Sequence, residues 1–159
     1  MTDYTLLCQQ LDALAEAERH WLPLLSNSAA LLFETLEDVN WAGFYLCEGD
    51  SLLLGPFQGK IACVRIPWGK GVCGTAAEQD QTQRVADVHA FPGHIACDSA
   101  SNAEIVIPLH RGGKVVGVLD IDSPCYGRFS EADQQGLEGF VRILQEQLDW
   151  PGGLSEIES

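Results

Sequence analysis

Glu104-Ile105-Val106-Ile107-Pro108-Leu109-His110-Arg111-Gly112-Gly113-Lys114-Val115-Val116-Gly117-Val118-Leu119-Asp120-Ile121-Asp122 carries the clearest structural signal in the chain. Two β-prone runs, 104–110 and 114–122, flank Arg111-Gly112-Gly113, the composition of a hairpin turn. Side chains alternate across a strand, so the register follows from the apolar pattern. Ile105, Ile107 and Leu109 share a face with Val115, Leu119 and Ile121 only if an odd number of residues, such as these three, forms the loop. That register makes Glu104 the neighbour of Asp120. The opposite face then carries Glu104, Val106, Val116, Val118, Asp120 and Asp122. Three carboxylates converge at one end of it, where mutual repulsion raises at least one pKa and the cluster attracts a cation or shares protons.

Working outward, Trp41 to Cys47 and Ser51 to Phe57 are β-prone runs joined by Glu48-Gly49-Asp50, a second hairpin, and Ile61 to Ile66 reads as a further strand. Gly69-Lys70-Gly71 interrupts the pattern before a short helix over 72–79. From Asp87 to Asn102 the chain is irregular yet rich in apolar residues and cysteine, the mark of a functional loop. Helices close both ends. Residues 5–18 carry Leu6, Leu7, Leu11 and Leu14 on one stripe, and 28–38 reads as a second helix capped by Asn27. A last helix begins at Ser130, with Asp133 as capping-box partner, and Leu137, Phe140, Val141, Leu144 and Leu148 keep helical spacing. This order predicts an α+β fold: an antiparallel sheet covered on one face by the N- and C-terminal helices. Residues 1–150 form the one domain and 151–159 a frayed tail.

Composition narrows the function. The chain has 159 residues, 46% of them hydrophobic, enough for one substantial core. Nine basic against 23 acidic side chains give a net charge of -14, which excludes phosphate backbones and anionic lipid surfaces as partners. No apolar run approaches the roughly 18 residues that span a bilayer, and the first basic residue is Arg19, so no secretory leader is expected and the protein is placed in the cytoplasm.

In a reducing compartment the six cysteines serve redox work, metal binding or burial before structural disulfides. They form no CxxC pair, and no metal is expected. Cys8 and Cys47 read as packing residues, and Cys125 lies in a turn. Cys73 falls at a helix N-terminus, where exposed N–H groups favour thiolate. Cys97 lies in the irregular stretch, three residues after His94, and Cys63 lies on the expected third strand. On the first strand Trp41, Gly43 and Tyr45 share a face, two aromatic walls with a slot between them. Next to carboxylates such walls suit a small ligand with a cationic end and an apolar or thioether end.

These residues resemble the free methionine-(R)-sulfoxide reductases, a family built on a GAF domain. The resemblance covers about Leu6 to Leu148 and rests on Asn40-Trp41-Ala42-Gly43-Phe44-Tyr45, Gly55-Pro56-Phe57-Gln58-Gly59, Gly69-Lys70-Gly71-Val72-Cys73-Gly74, His94-Ile95-Ala96-Cys97-Asp98 and Val118-Leu119-Asp120-Ile121-Asp122-Ser123. It implies that Cys63, Cys73 and Cys97 are redox cysteines, that Glu104, Asp120 and Asp122 are substrate-binding carboxylates, and that Trp41 and Tyr45 are aromatic pocket residues. It implies reduction of free L-methionine (R)-S-oxide without a cofactor, by attack of Cys97 on the sulfoxide sulfur. The resulting sulfenic acid condenses with Cys63 or Cys73, Cys63 being the first choice, and thioredoxin reduces the disulfide. Family members are homodimers. A non-catalytic GAF-type small-ligand sensor and a thiol redox switch are the alternatives; three carboxylates argue against an anionic nucleotide as the ligand of such a sensor.

Overall fold

The computed structural model describes residues 1–95 and 99–156. Its elements are α1 (Tyr4–Ala17), α2 (Trp21–Thr35), β1 (Trp41–Glu48), β2 (Ser51–Gly59), β3 (Arg65–Pro67), α3 (Gly71–Gln79), β4 (Gln83–Val85), β5 (Ala103–Arg111), β6 (Lys114–Ser123) and α4 (Glu131–Gln147). The strands form a six-stranded sheet in the order β3-β2-β1-β6-β5-β4, with every neighbouring pair antiparallel. The fold is the expected α+β arrangement, with α1, α2 and α4 packed on one face of the sheet.

Alternation along the central strands sends the two side-chain sets to two different cores. Ala42, Phe44 and Leu46 of β1 join Ile105, Ile107, Leu109, Leu119 and Ile121 beneath the three long helices. Trp41, Tyr45 and Cys47 point the other way, with Val106 and Val118, toward α3. Burying a side chain such as Phe44 or Leu119 stabilises the fold by about 1.5–3 kcal/mol. Ser130 caps α4 as predicted: its hydroxyl accepts from the Asp133 N–H at 3.1 Å, while the Asp133 carboxylate accepts from the Ser130 N–H at 3.0 Å. Asp133 also accepts from the Tyr4 hydroxyl at 2.6 Å, tying α1 to α4.

The long hairpin turns more tightly than the sequence suggests. Arg111 pairs with Lys114, so the loop is Gly112-Gly113 alone, with φ of 59° and 80°. Two successive positive φ values define the turn whose twist matches the strands, and glycine adopts them without a Cβ clash. The odd residue required by the alternation comes instead from a bulge: Leu109 faces Gly117 while His110 faces Val115. Glu104 therefore pairs with Asp122, and Asp120 pairs with Val106. The displacement from the expected pairing of Glu104 with Asp120 is two residues, and an even shift leaves each side chain beyond the bulge on its own face. On the turn side of the bulge Val115 changes sides and joins the core under α3.

Other boundaries moved for physical reasons. The second helix begins at Trp21, not near Ser28, and ends at Thr35; the His20 imidazole accepts from the Leu22 N–H at 3.2 Å in place of an Asn27 cap. Pro23 falls within the first turn, where its missing N–H costs no helical bond. The third strand is only Arg65–Pro67, because Ile61 and Val64 project into solvent. β4 is a three-residue edge strand whose Gln83-Arg84-Val85 carries no readable alternation. In the tail, the Ser155 hydroxyl accepts from the Gly49 N–H at 2.7 Å and Glu156 pairs with Arg111 at 2.8 Å. Among the described residues no helix is long and apolar enough to cross a membrane.

Candidate functional site

Three adjacent strands and one helix converge on the sheet face away from the long helices. β1 contributes Trp41 and Tyr45, β6 contributes Asp120 and Asp122, β5 contributes Glu104, and α3 lowers Cys73 onto them in its first turn. These six residues line a single open-mouthed cavity with about 550 Å³ of empty space, part of it open to solvent. The cross-strand pairs Trp41 with Asp122, Gly43 with Asp120 and Glu104 with Asp122 hold the acids side by side. All six were expected at a site, and the structure brings them together.

Burial governs the electrostatics. Glu104 and Asp120 are 8% and 5% exposed. Loss of water pushes the Glu104 carboxyl well above the ordinary range, and the neighbouring Asp120 charge adds to the effect. Asp120 is raised for the same first reason, with Asp122 as the next cause. The site thus holds protonated carboxyl groups at pH values where an exposed acid is fully ionised. One oxygen of Asp120, Oδ1, is buried with no hydrogen-bond partner among the described residues. A polar atom left so is costly unless something binding in the cavity satisfies it.

Cys73 departs from expectation. Its place at the start of α3 is as predicted, but the thiol is not activated there. Burial pushes its pKa well above the usual thiol value, and Asp120, Glu104 and Asp122 push it further. Its Sγ lies 3.9 Å from Glu104 Oε2, as donor to that oxygen. Here the carboxylates and the loss of water outweigh the helix end, whose influence is about 0.3–2 kcal/mol. Ligating atoms of Cys73, Glu104 and Asp120 lie within 4.8 Å of one another, so the set has the size to surround a small cation.

The aromatic wall has two functions. Trp41 stacks between Tyr45 and Phe57, at ring-centroid distances of 6.0 and 5.1 Å. The space over Gly43 is not the open slot expected: a Cβ there would come within 2.3 Å of the Phe57 Cβ and 2.7 Å of the Trp41 ring. The open space of the cavity is bounded by the rings and the acids. The polar tips of both rings hold the segment after β2. Trp41 Nε1 donates to the Lys60 carbonyl at 3.1 Å, and the Tyr45 hydroxyl donates to the Cys63 carbonyl at 2.8 Å. Cys63, half-buried, is disulfide-bonded. Cys8, Cys47, Cys73 and Cys125 are free thiols. Cys97 lies outside the described residues.

Sequence reasoning gave no role to Lys70 and Ser101, two further polar residues lining the cavity, and weighed His94, which lines it too, only as a possible aid to a Cys97 thiolate. Lys70 occupies the N-cap position of α3 without a side-chain capping bond, the half-buried His94 presents a buried Nδ1 with no partner among the described residues, and Ser101 accepts a 3.1 Å hydrogen bond from the Asn40 amide. Burial lowers the His94 pKa, with His89 contributing, so its imidazole is neutral at pH 7. Lys70 and His94 stand in the quoted motifs, next to cysteine-bearing stretches. Ser101 had no local signal, because its hydrogen bond spans 61 residues of chain.

Comparison with known proteins places these features in context. Residues 24–145 match the GAF domain family. The free methionine-R-sulfoxide reductase of Escherichia coli is 57% identical over 145 residues, covering 91% of this chain and 88% of that protein. The structure of fRMsr of Staphylococcus aureus in complex with substrate has a TM-score of 0.89 and 53% identity, covering 93% of this chain and 97% of that one. The free methionine-R-sulfoxide reductase of Neisseria meningitidis in complex with its substrate follows at a TM-score of 0.88 and 42% identity, covering 92% and 88%.

Proposed function

The chain belongs to the GAF-domain family of free methionine-R-sulfoxide reductases, and on that premise we propose that it reduces free L-methionine (R)-S-oxide to L-methionine by thiol chemistry. The observation that carries this reading is the buried cup in which Glu104, Asp120 and Asp122 stand beside the Trp41 and Tyr45 rings. The substrate is a zwitterion with a polar sulfoxide near an apolar methyl end. An ionised carboxylate of the cup holds the ammonium, and the aromatic wall takes the methyl group. Lys70 and the start of α3 offer positive potential to the carboxylate. Reading both charged ends of one amino acid favours the free molecule over a peptide-linked residue.

In the proposed reaction the Cys97 thiolate attacks the sulfoxide sulfur, and the oxygen takes a proton from the raised carboxyl pair Glu104 and Asp120. Methionine leaves and Cys97 becomes a sulfenic acid. A second thiol condenses with it, releasing water and forming a disulfide. The disulfide at Cys63 supports that cysteine in the resolving role, and the raised pKa of Cys73 argues against Cys73 there. Thioredoxin then returns both sulfurs to thiols by exchange. No metal or cofactor enters any step.

The test is methionine release from purified protein with dithiothreitol, using free (R), free (S) and peptide-linked sulfoxides as parallel substrates. The proposal expects turnover of free (R)-sulfoxide alone. Absence of that turnover, or equal reduction of the peptide, overturns it.

A further inference from the structure

The segment after β2 has features that substrate binding leaves unexplained. Its backbone is fixed from within: Trp41 and Tyr45 bond to the Lys60 and Cys63 carbonyls, and the Val64 carbonyl accepts from the Leu54 N–H at 2.8 Å. Ala62 and Cys63 pack inward against the core under α3, whereas Ile61, at the rim of the cavity, and Val64 face outward. Ile61 is 91% exposed and Val64 60%, two β-branched apolar side chains in water on either side of disulfide-bonded Cys63. The charge around them is also unusual. Residues 60–70 contain Lys60, Arg65 and Lys70, three of the nine basic residues of a chain with a net charge of -14, and no acid. Arg65 is paired with Glu48 at 2.8 Å, whereas Lys60 is exposed and makes no ion pair among the described residues.

We propose that Ile61, Val64 and Lys60 form the landing surface for the protein dithiol that reduces the disulfide at Cys63, a partner whose attacking thiol is set in an apolar patch with an acidic flank. This rests on the reductase reading for its place in the cycle. Fixed exposed apolar residues next to a disulfide give a partner thiol contact area at low ordering cost. The basic patch on an acidic molecule selects an acidic flank and steers its approach, while the rest of the surface repels it. In the exchange the partner's thiolate bonds to one sulfur of the disulfide, the S–S bond breaks, and the electron pair leaves on the other sulfur, which takes a proton. The partner's second thiol then displaces the first-attacked sulfur. The partner ends as a disulfide and this chain as two thiols, a two-electron transfer.

The experiment starts from the oxidised full-length chain and follows thiol release by timed alkylation, with reduced thioredoxin or dithiothreitol as reductant. Val64→Ser and Lys60→Glu are each expected to slow reduction by thioredoxin about five- to tenfold and to leave reduction by dithiothreitol unchanged. High salt narrows the Lys60→Glu deficit, because the steering it removes is screened. Leu22→Ser, at a 48% exposed apolar side chain on α2, changes neither rate. Unaltered thioredoxin rates in both variants, or parallel losses with the two reductants, overturn the proposal. Thiol release is read without sulfoxide, so failure of methionine formation tells against the reductase reading separately.

Discussion

Tyr45 donates its hydroxyl hydrogen to the backbone carbonyl of Cys63 at 2.8 Å, so one side chain both walls the cavity and fixes the segment bearing a disulfide-bonded cysteine. Burial, followed by the Asp120 charge, keeps the phenol protonated and therefore a donor throughout the physiological range. Tyr45→Phe keeps the ring and removes this bond. The folded state loses about 1–2 kcal/mol, because the Cys63 carbonyl is left without its donor. The expected functional effect is on disulfide formation: the first methionine is released at near wild-type rate, while the disulfide forms about two- to tenfold more slowly, a loss of order 1 kcal/mol in positioning. Rapid-quench measurement of methionine and of free thiols checks the separation.

The raised Glu104 and Asp120 carboxyls make stability and activity fall together as pH rises. A carboxyl whose pKa is higher folded than unfolded binds more protons in the folded state between the two values. Stability is therefore lost as pH climbs from the ordinary carboxylate range through the raised one. Glu104→Gln removes one ionising group from the cup. At pH 8 the variant is expected to be more stable than the parent by about 1 kcal/mol or more, about 3 °C for a chain of this size, and the gain shrinks toward pH 4. Turnover with dithiothreitol falls in the variant, more strongly at higher pH, where the remaining acid alone must supply the proton. Melting curves and pH–rate profiles on the same samples check both directions.

Among the cysteines, Cys97→Ser is expected to abolish methionine release even in a single turnover, by about a thousandfold or more, with a melting temperature unchanged when variant and parent are both compared fully reduced. Cys73→Ser has a different expected result. Its thiol is held protonated by burial and three carboxylates, so it is a poor nucleophile, and the variant retains the first release of methionine. Quantifying methionine per enzyme with no reductant present distinguishes the two.

The parts legible in the sequence were those governed by local period. Alternation assigned Trp41 and Tyr45 to one face and Phe44 to the other, and grouped Glu104, Asp120 and Asp122, because a face depends only on parity. Pairing partners were not legible, since the bulge near Leu109 and the two-residue turn compensate in parity while moving Glu104 from Asp120 to Asp122. The environment of Cys73 was hidden for a related reason. The helix end is local, but the carboxylates that overrule it, Glu104, Asp120 and Asp122, arrive from 31, 47 and 49 positions away. Ile61 to Val64 misled because an apolar β-branched run reads as a strand, whereas side chains from β1 hold its backbone.

Gly136 offers a test of the helical layer that bears on no catalytic group. It lies within α4, where glycine costs about 1 kcal/mol relative to alanine. Propensity alone therefore favours Gly136→Ala. The structure opposes it: a Cβ at this position would come within 2.2 Å of Tyr4 Cγ, because the Tyr4 ring rests directly on the α4 backbone. The same tyrosine is held by its 2.6 Å hydrogen bond to Asp133, so the ring moves aside only by giving up that bond. Overpacking of about 1–3 kcal/mol, together with the weakened bond at about 1 kcal/mol, exceeds the propensity gain. The expected outcome is a lower melting temperature, by about 2–8 °C, with turnover at 25 °C unchanged. In the double variant Tyr4→Ala/Gly136→Ala the clash is absent, so the Gly136→Ala change becomes stabilising when measured against Tyr4→Ala alone. A double-mutant cycle in denaturant reads that reversal of sign as the coupling between the two helices.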